Sequence, residues 1–221
     1  MVGAIDMVLV QVEGTDGVGK TTVVNLLREE LDKENVKVKV LVFPSRETRI
    51  GSIIDEMLKK RKFEWNEAVI FQLLQTANRL EFYKEIERWR EKKDSVLILD
   101  RYVLSGLVYG KLDGVPYNSL MTLQLLLPPP QLNIVLTANR ESLERRLKEK
   151  MQLEIYERIE KILKIQKEYM EVSKDYEKNV EQKFSLSIQT VFLDNSDGKL
   201  EYVIREAKNR ILSLLSMEVK S

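Results

Sequence analysis

Cysteine and histidine are both absent from the chain. Without cysteine there are no disulfides and no thiolate metal sites. Without histidine, acid–base chemistry falls to carboxylates, lysine, tyrosine or water, and zinc sites of the usual kind are excluded. An excess of one charge is missing too: 36 basic and 35 acidic residues leave a net charge of +1. Nucleic-acid binders carry a basic excess, so no nucleic-acid partner is expected. No apolar run approaches the roughly 20 residues that span a bilayer, so no membrane partner is expected. The first residues, MVGAIDMVLVQVEG, lack a basic start and carry Asp6, and their apolar run from Met7 to Val12 is short. That does not read as a signal peptide. The expected setting is the cytoplasm.

What is present suits a globular protein with a core. Hydrophobic residues make up 43% and charged residues 32% of 221. The length fits one domain spanning residues 1–221. Short runs rich in Val, Leu and Ile predict buried strands over Met7–Val12, Val36–Phe43, Ser95–Asp100, Leu132–Thr137 and Thr190–Leu193. In VKVKVLVF the lysines alternate at the start, so its first half is expected to be partly exposed. Helices are predicted over Thr21–Glu34, Ile50–Lys60, Trp65–Lys92, Leu120–Leu126, Glu141–Lys150, Glu154–Asp175 and Leu200–Leu215. In Trp65–Lys92 the residues Val69, Leu73, Thr76, Leu80 and Tyr83 recur at a three-to-four spacing. Strands alternating with helices indicate an α/β fold with a parallel sheet. LPPPQL, at 127–132, ends a helix, because proline cannot continue one.

Gly14-Thr-Asp-Gly-Val-Gly-Lys-Thr21 fits G-x-x-x-x-G-K-[ST] at every fixed position. It follows a predicted strand and opens a predicted helix, as a P-loop must. Glycines let the backbone turn tightly, so that its N–H groups face anionic oxygens at a helix N-terminus. The expected ATP-binding residues are Gly14, Thr15, Asp16, Gly17, Val18, Gly19, Lys20, Thr21 and Thr22. Lys20 reaches the β/γ-phosphates and the Thr21 hydroxyl ligates Mg²⁺. The expected fold is therefore that of a P-loop NTPase, with five parallel strands flanked by helices.

A second group narrows the class. Asp100 stands at the carboxyl end of the third strand, in LILDRYVLSGLVYG, where a carboxylate can hold Mg²⁺ through water. Arg101 follows it. A buried Asp–Arg pair that merely stabilises the loop is the alternative. Arg46 lies just past the second strand, in FPSRETRIG, and Arg79 lies on the long helix, in LLQTANRLE. Guanidinium groups outside the P-loop imply a second anionic substrate. A hydrolase needs none, whereas a kinase does. A guanine-specific switch would show N-K-x-D, and the nearest stretch, TANRES, lacks the lysine and the aspartate.

With EGTDGVGKTT, FPSRETRIG, QTANRLE and DRYVLSGLVY in this order, and LPPPQLNIVL after them, the chain resembles the thymidylate kinase family over about residues 7–172. The resemblance implies transfer of the ATP γ-phosphoryl group to dTMP, with Mg²⁺, in a homodimer. It implies that Asp16 binds the sugar 3′-OH, that Arg46 and Arg101 bind the acceptor phosphate, and that Arg79 meets the thymine edge. Tyr109 would lie against the sugar, and Ser105 and Gly106 would shape the wall. The helical lid is placed at about 139–158, with Arg145, Arg146, Lys148 and Lys150 as its cations and Tyr156 and Glu157 after it. Arg145 is assigned to ATP and Arg146 to the transferring group. The bland reading of 139–178 is a solvated helical hairpin. Two positions depart from the family pattern. Gln75 stands where a phenylalanine usually stacks on thymine, and Phe71, one turn earlier, is the substitute ring. Gly17 stands where some members carry arginine, which assigns that role to the lid. The alternative acceptors are another monophosphate, such as dUMP, or a deoxynucleoside.

Overall fold

The computed structural model describes residues 7–59, 63–148 and 155–217. Its strands are β1 (Met7–Gly14), β2 (Lys37–Val42), β3 (Ser95–Asp100), β4 (Leu132–Thr137) and β5 (Gln189–Asp194). They form one sheet in the order β2-β3-β1-β4-β5. All pairings are parallel. Both faces of such a sheet are covered, which is why β1 and β3 are rich in Val, Leu and Ile and are buried throughout. β2 lies at an edge, and its burial is correspondingly incomplete: Lys37 and Val42 are exposed and only Leu41 is buried.

The helices are α1 (Lys20–Lys33), α2 (Arg49–Leu58), α3 (Trp65–Leu80), α4 (Tyr83–Arg90), α5 (Val103–Leu112), α6 (Tyr117–Gln124), α7 (Arg140–Lys148), α8 (Ile155–Phe184) and α9 (Leu200–Met217). Alternation along β1 sorts its side chains between two cores. Val8, Val10 and Val12 pack with Val23 and Leu27 of α1 and with Val203 and Ile211 of α9. Met7 and Leu9 face Leu104 and Leu107 of α5 and Tyr169 and Tyr176 of α8. On that second face β1 continues as Gln11 and Glu13, both fully buried. Gln11 Nε2 donates to Asn133 Oδ1 at 2.8 Å, and Asn133 Nδ2 donates to Thr190 Oγ1 at 2.8 Å. The sheet thus keeps a satisfied polar row inside its core.

Three expectations need correction. The stretch 65–92 is two helices. Their break falls at Glu81–Phe82, where Phe82 leaves helical geometry (φ −94, ψ 3) and packs edge-on against Phe43 at 5.5 Å. α5 was not anticipated: VLSGLVYGKL is buried on nearly every side, so it carries no helical period. α8 runs to Phe184 rather than ending at Asp175. The stretch 139–158, where the lid is expected, contains α7 and the start of α8, while 149–154, including Lys150, and the side chain of Lys148 lie outside the described residues. Among the described residues no helix is long and apolar enough to cross a membrane.

Candidate active site

The carboxyl ends of β1, β2 and β3 place three loops side by side. Register pairs Val12 and Val42 each with Asp100. Parallel strands in register end together, so the loops after them share one crevice.

The loop after β1 turns through Gly17 (φ 81) and Gly19 (φ 85), a region that residues with a side chain adopt only at a cost. Val18 is buried between them, while Thr21 and Thr22 are exposed on the first turn of α1. Thr15 Oγ1 is buried with no partner among the described residues. Lys20 Nζ donates to the carbonyls of Gly14 and Thr15, at 2.9 and 3.0 Å. Burial, aided by nearby Arg101, lowers the Lys20 ammonium from 10.5 to about 8. Asp100 is nearly enclosed, and burial raises its carboxyl above the ordinary value, against the opposing pull of Lys20 and Arg101. The two groups act on each other electrostatically, each favouring the other's charged form against the effect of burial.

Beside this loop opens a cleft of about 580 Å³. Its mouth carries Asp16, Arg46 and Arg101. Arg101 Nη2 donates to Asp16 Oδ1 at 2.8 Å, and Arg158 of α8 stands 3.9 Å from the other carboxylate oxygen. Arg101 sits at φ 60, uncommon for a residue with a side chain, and its guanidinium lies 5.8 Å from the ring of Tyr109. Arg46 is paired with Asp55 of α2 at 3.0 Å, but its side chain is 75% exposed. Such a pair contributes little and is easily exchanged for another anion.

The inner wall carries Phe71, Gln75, Arg79, Ser105, Gly106 and Tyr109. Arg79 is buried, and burial pulls its guanidinium down to about 10. Its Nη1 donates to Gln124 Oε1 at 3.2 Å, its Nε has no partner among the described residues, and no carboxylate there pairs with it. A Cβ at Gly106 would lie 2.7 Å from Gln124 Nε2 and 2.9 Å from Arg79 Nη1, so only glycine leaves these two groups room. Gln75 Oε1 is also buried and unpartnered among the described residues. Phe71 packs against Phe63 with ring centroids 4.8 Å apart. Tyr156 belongs to α8, but its side chain lies outside the described residues, as does that of Glu157. Arg145 and Arg146 of α7 pair with Asp197 at 2.6 and 3.0 Å. Arg146 also donates to the Gly17 carbonyl, so α7 touches the P-loop directly.

Several site residues were not singled out in the sequence. The Glu13 carboxylate accepts from the Tyr102 and Ser105 N–H groups at 2.7 and 3.1 Å and from Ser105 Oγ at 2.5 Å. It holds the turn that presents Arg101. Asn78, inside the ANR stretch, accepts from Ser45 N–H at 2.8 Å and donates to Ser45 O and Thr48 Oγ1. It fixes the loop that carries Arg46. Phe63, Gln72 and Gln124 come to the site from outside the quoted motifs, and only tertiary packing brings them there.

Known proteins resemble the chain in sequence and in fold. The sequence model of the family described as Thymidylate kinase matches residues 12–194. A probable thymidylate kinase 1 of Saccharolobus solfataricus is 34% identical over 172 residues, covering 76% of this chain and 84% of the relative. A probable thymidylate kinase of Caldivirga maquilingensis is 32% identical over 151 residues, covering 68% of this chain and 73% of the relative. In fold, the chain matches a solved thymidylate kinase from Candida albicans with a TM-score of 0.65 at 22% identity, over 94% of this chain and 92% of that one. The chain belongs to the thymidylate kinase family.

Proposed function

We propose that the chain is an ATP-dependent dTMP kinase. The observation that carries this reading is the buried Arg79, set without a carboxylate partner among the described residues, in a cleft whose mouth holds two more arginines beside the P-loop. Arginine forks suit the dianionic phosphate at the mouth, and a guanidinium in the dry interior suits a base carbonyl. A phosphate oxygen of dTMP attacks the γ-phosphorus of ATP in line. The new O–P bond forms as the bond to the bridging oxygen breaks, giving dTDP and ADP. The acceptor is already anionic, so no strong base is needed, and the lack of histidine is no obstacle.

The loop N–H groups and Lys20 bind and orient the ATP phosphates, while Arg46 and Arg101 hold the acceptor and neutralise the spread charge. Asp16 and Tyr109 flank the sugar, and Ser105 and Gly106 bound it. Phe71 and Gln75 border the base. Arg145 serves ATP from α7, and Tyr156 belongs to the acceptor side.

Thr21 and Asp100 fit Mg²⁺: an exposed hydroxyl and a buried carboxylate lie at the P-loop, and among the described residues no larger acidic cluster forms a closed metal cage. That matches an ion held largely by substrate phosphates. When bound, Mg²⁺ neutralises charge on the β- and γ-oxygens. A cytoplasmic homodimer belongs to the same reading. It is supported by the exposed Ile70, Leu73 and Leu80 along one side of α3.

Gln75 marks a second reading, with another monophosphate such as dUMP as acceptor: uracil presents the same carbonyl and N–H edge as thymine, so an amide beside the base does not by itself select the methyl group. Arg46→Ala tests the acceptor site. It should cut dTMP turnover at least about a hundredfold while ATP affinity stays within about twofold, as expected for loss of a charged contact to one substrate. Equal loss of both would remove Arg46 from the acceptor site.

A further inference from the structure

The P-loop motif explains what faces phosphate, but not what holds the loop in shape. A loop that turns its N–H groups inward turns carbonyl oxygens outward, and each buried one requires a donor. Most of these donors can be followed. Lys20 Nζ serves Gly14 and Thr15, and the Val23 N–H serves Gly19. Of the three oxygens between, those of Gly17 and Val18 are served from outside the motif. Asn195 Nδ2 donates to Val18 O at 2.7 Å, and Arg146 Nη1 donates to Gly17 O at 3.2 Å.

The two donors are themselves joined. Arg146 Nη2 donates to the Asn195 carbonyl at 2.7 Å and to Asp197 at 3.0 Å. Asn195 is tied to the sheet, because its N–H continues the β4–β5 pairing onto Thr137 O at 2.8 Å. Its side chain is buried (3% exposed), and its Oδ1 has no partner among the described residues. The amide orientation therefore rests on the Val18 bond. Turned over, it would set oxygen against oxygen. The fit is tight: a Cβ at Gly19 would lie 2.9 Å from Asn195 Nδ2.

We propose that Asn195, with Arg146 and Asp197 beside it, is a clamp that positions the phosphate loop and so sets affinity for the nucleotide donor. The inference rests on the kinase reading above. Asn195 is a positioning residue, since it acts through Val18. In this arrangement Arg146 is one as well, in place of the direct role that the family resemblance implies. The clamp couples α7 to the loop, because Asp197 holds both Arg145 and Arg146.

The test uses Asn195→Asp, which swaps the donor for an acceptor at constant shape, and Asn195→Ala, which only deletes it. ADP and dTMP binding to the full chain are measured by calorimetry, with the thermal midpoint alongside. ADP should weaken about tenfold in Asn195→Ala and further in Asn195→Asp, as expected for one buried hydrogen bond lost or opposed. Binding of dTMP should stay within about twofold, because no acceptor-site contact changes. A merely structural role would lower both affinities together with the midpoint, or lower the midpoint alone, and either result overturns the clamp. Should Asn195→Asp fail to fold, Asn195→Ala decides. Unchanged ADP binding in the variants, with normal binding by the wild type, rejects the clamp alone. A wild type that binds no ADP rejects the kinase reading and the clamp with it.

Discussion

At the residue scale, burial and neighbouring charge set how the cationic groups beside the P-loop behave. Lys20 follows from the motif; its lowered value of about 8 follows from burial and from Arg101, a neighbour across the sheet. In the free protein its charge is lost as pH rises through about 8, so the KM for ATP should rise above that pH. Bound phosphates favour the charged form, so kcat at saturating ATP should persist to higher pH. A KM for ATP that stays flat up to the ordinary lysine value of 10.5 would contradict this. The sign also fixes stability. Between about 8 and 10.5 the unfolded chain binds more protons at this group, so Lys20 makes stability rise with pH across that window. Gln75 was legible as a departure, whereas its unpartnered oxygen and the Phe63–Phe71 pair beside it were not. If that pair supplies the stacking face, Phe71→Ala should raise the KM for dTMP about tenfold or more, given about 1–3 kcal/mol for a base on a ring. Gln75→Phe should lower it. Steady-state kinetics on both variants decides whether ring or amide borders the base.

At the element scale, motifs located the strand ends better than the helices. Ser95–Asp100 and Leu132–Thr137 match the structure residue for residue, because buried parallel strands are short apolar runs with abrupt ends. The break between α3 and α4 left no mark, since the apolar spacing continues across Phe82 while the contact with Phe43 is tertiary. α5 was missed for the opposite reason, as a helix buried all round shows no stripe. The loop from Phe43 to Thr48 shows how elements serve chemistry. Asn78 on α3 ties its Ser45 and Thr48 in place, and so sets where Arg46 stands. Asn78→Ala leaves Ser45 N–H without that partner and should cost about 1–3 kcal/mol of stability. It should also raise the KM for dTMP more than that for ATP. Denaturant unfolding and the two KM values measure this, and equal KM effects would mean that Asn78 does not govern the acceptor loop.

At the scale of the whole molecule, the sheet order puts β1 at the centre, with β3 and β4 as its neighbours. The P-loop, Asp100 and the turn after β3 therefore meet by topology alone. The clamp from Asn195 reaches the P-loop across 177 residues of sequence, which no local pattern could reveal. α3 leaves Ile70, Leu73 and Leu80 exposed beside the cleft, the surface that a twofold partner would bury. Sedimentation should give twice the 25.9 kDa of one chain, and Leu73→Glu should halve it. The central claim concerns the acceptor. The most direct measurement is ADP release from Mg-ATP with dTMP, dUMP, dCMP, dGMP, dAMP and UMP, each offered alone at equal concentration. The account predicts clear preference for dTMP, with dTDP formed mole for mole with ADP. Equal or faster use of another monophosphate, or ADP release without acceptor, would contradict it.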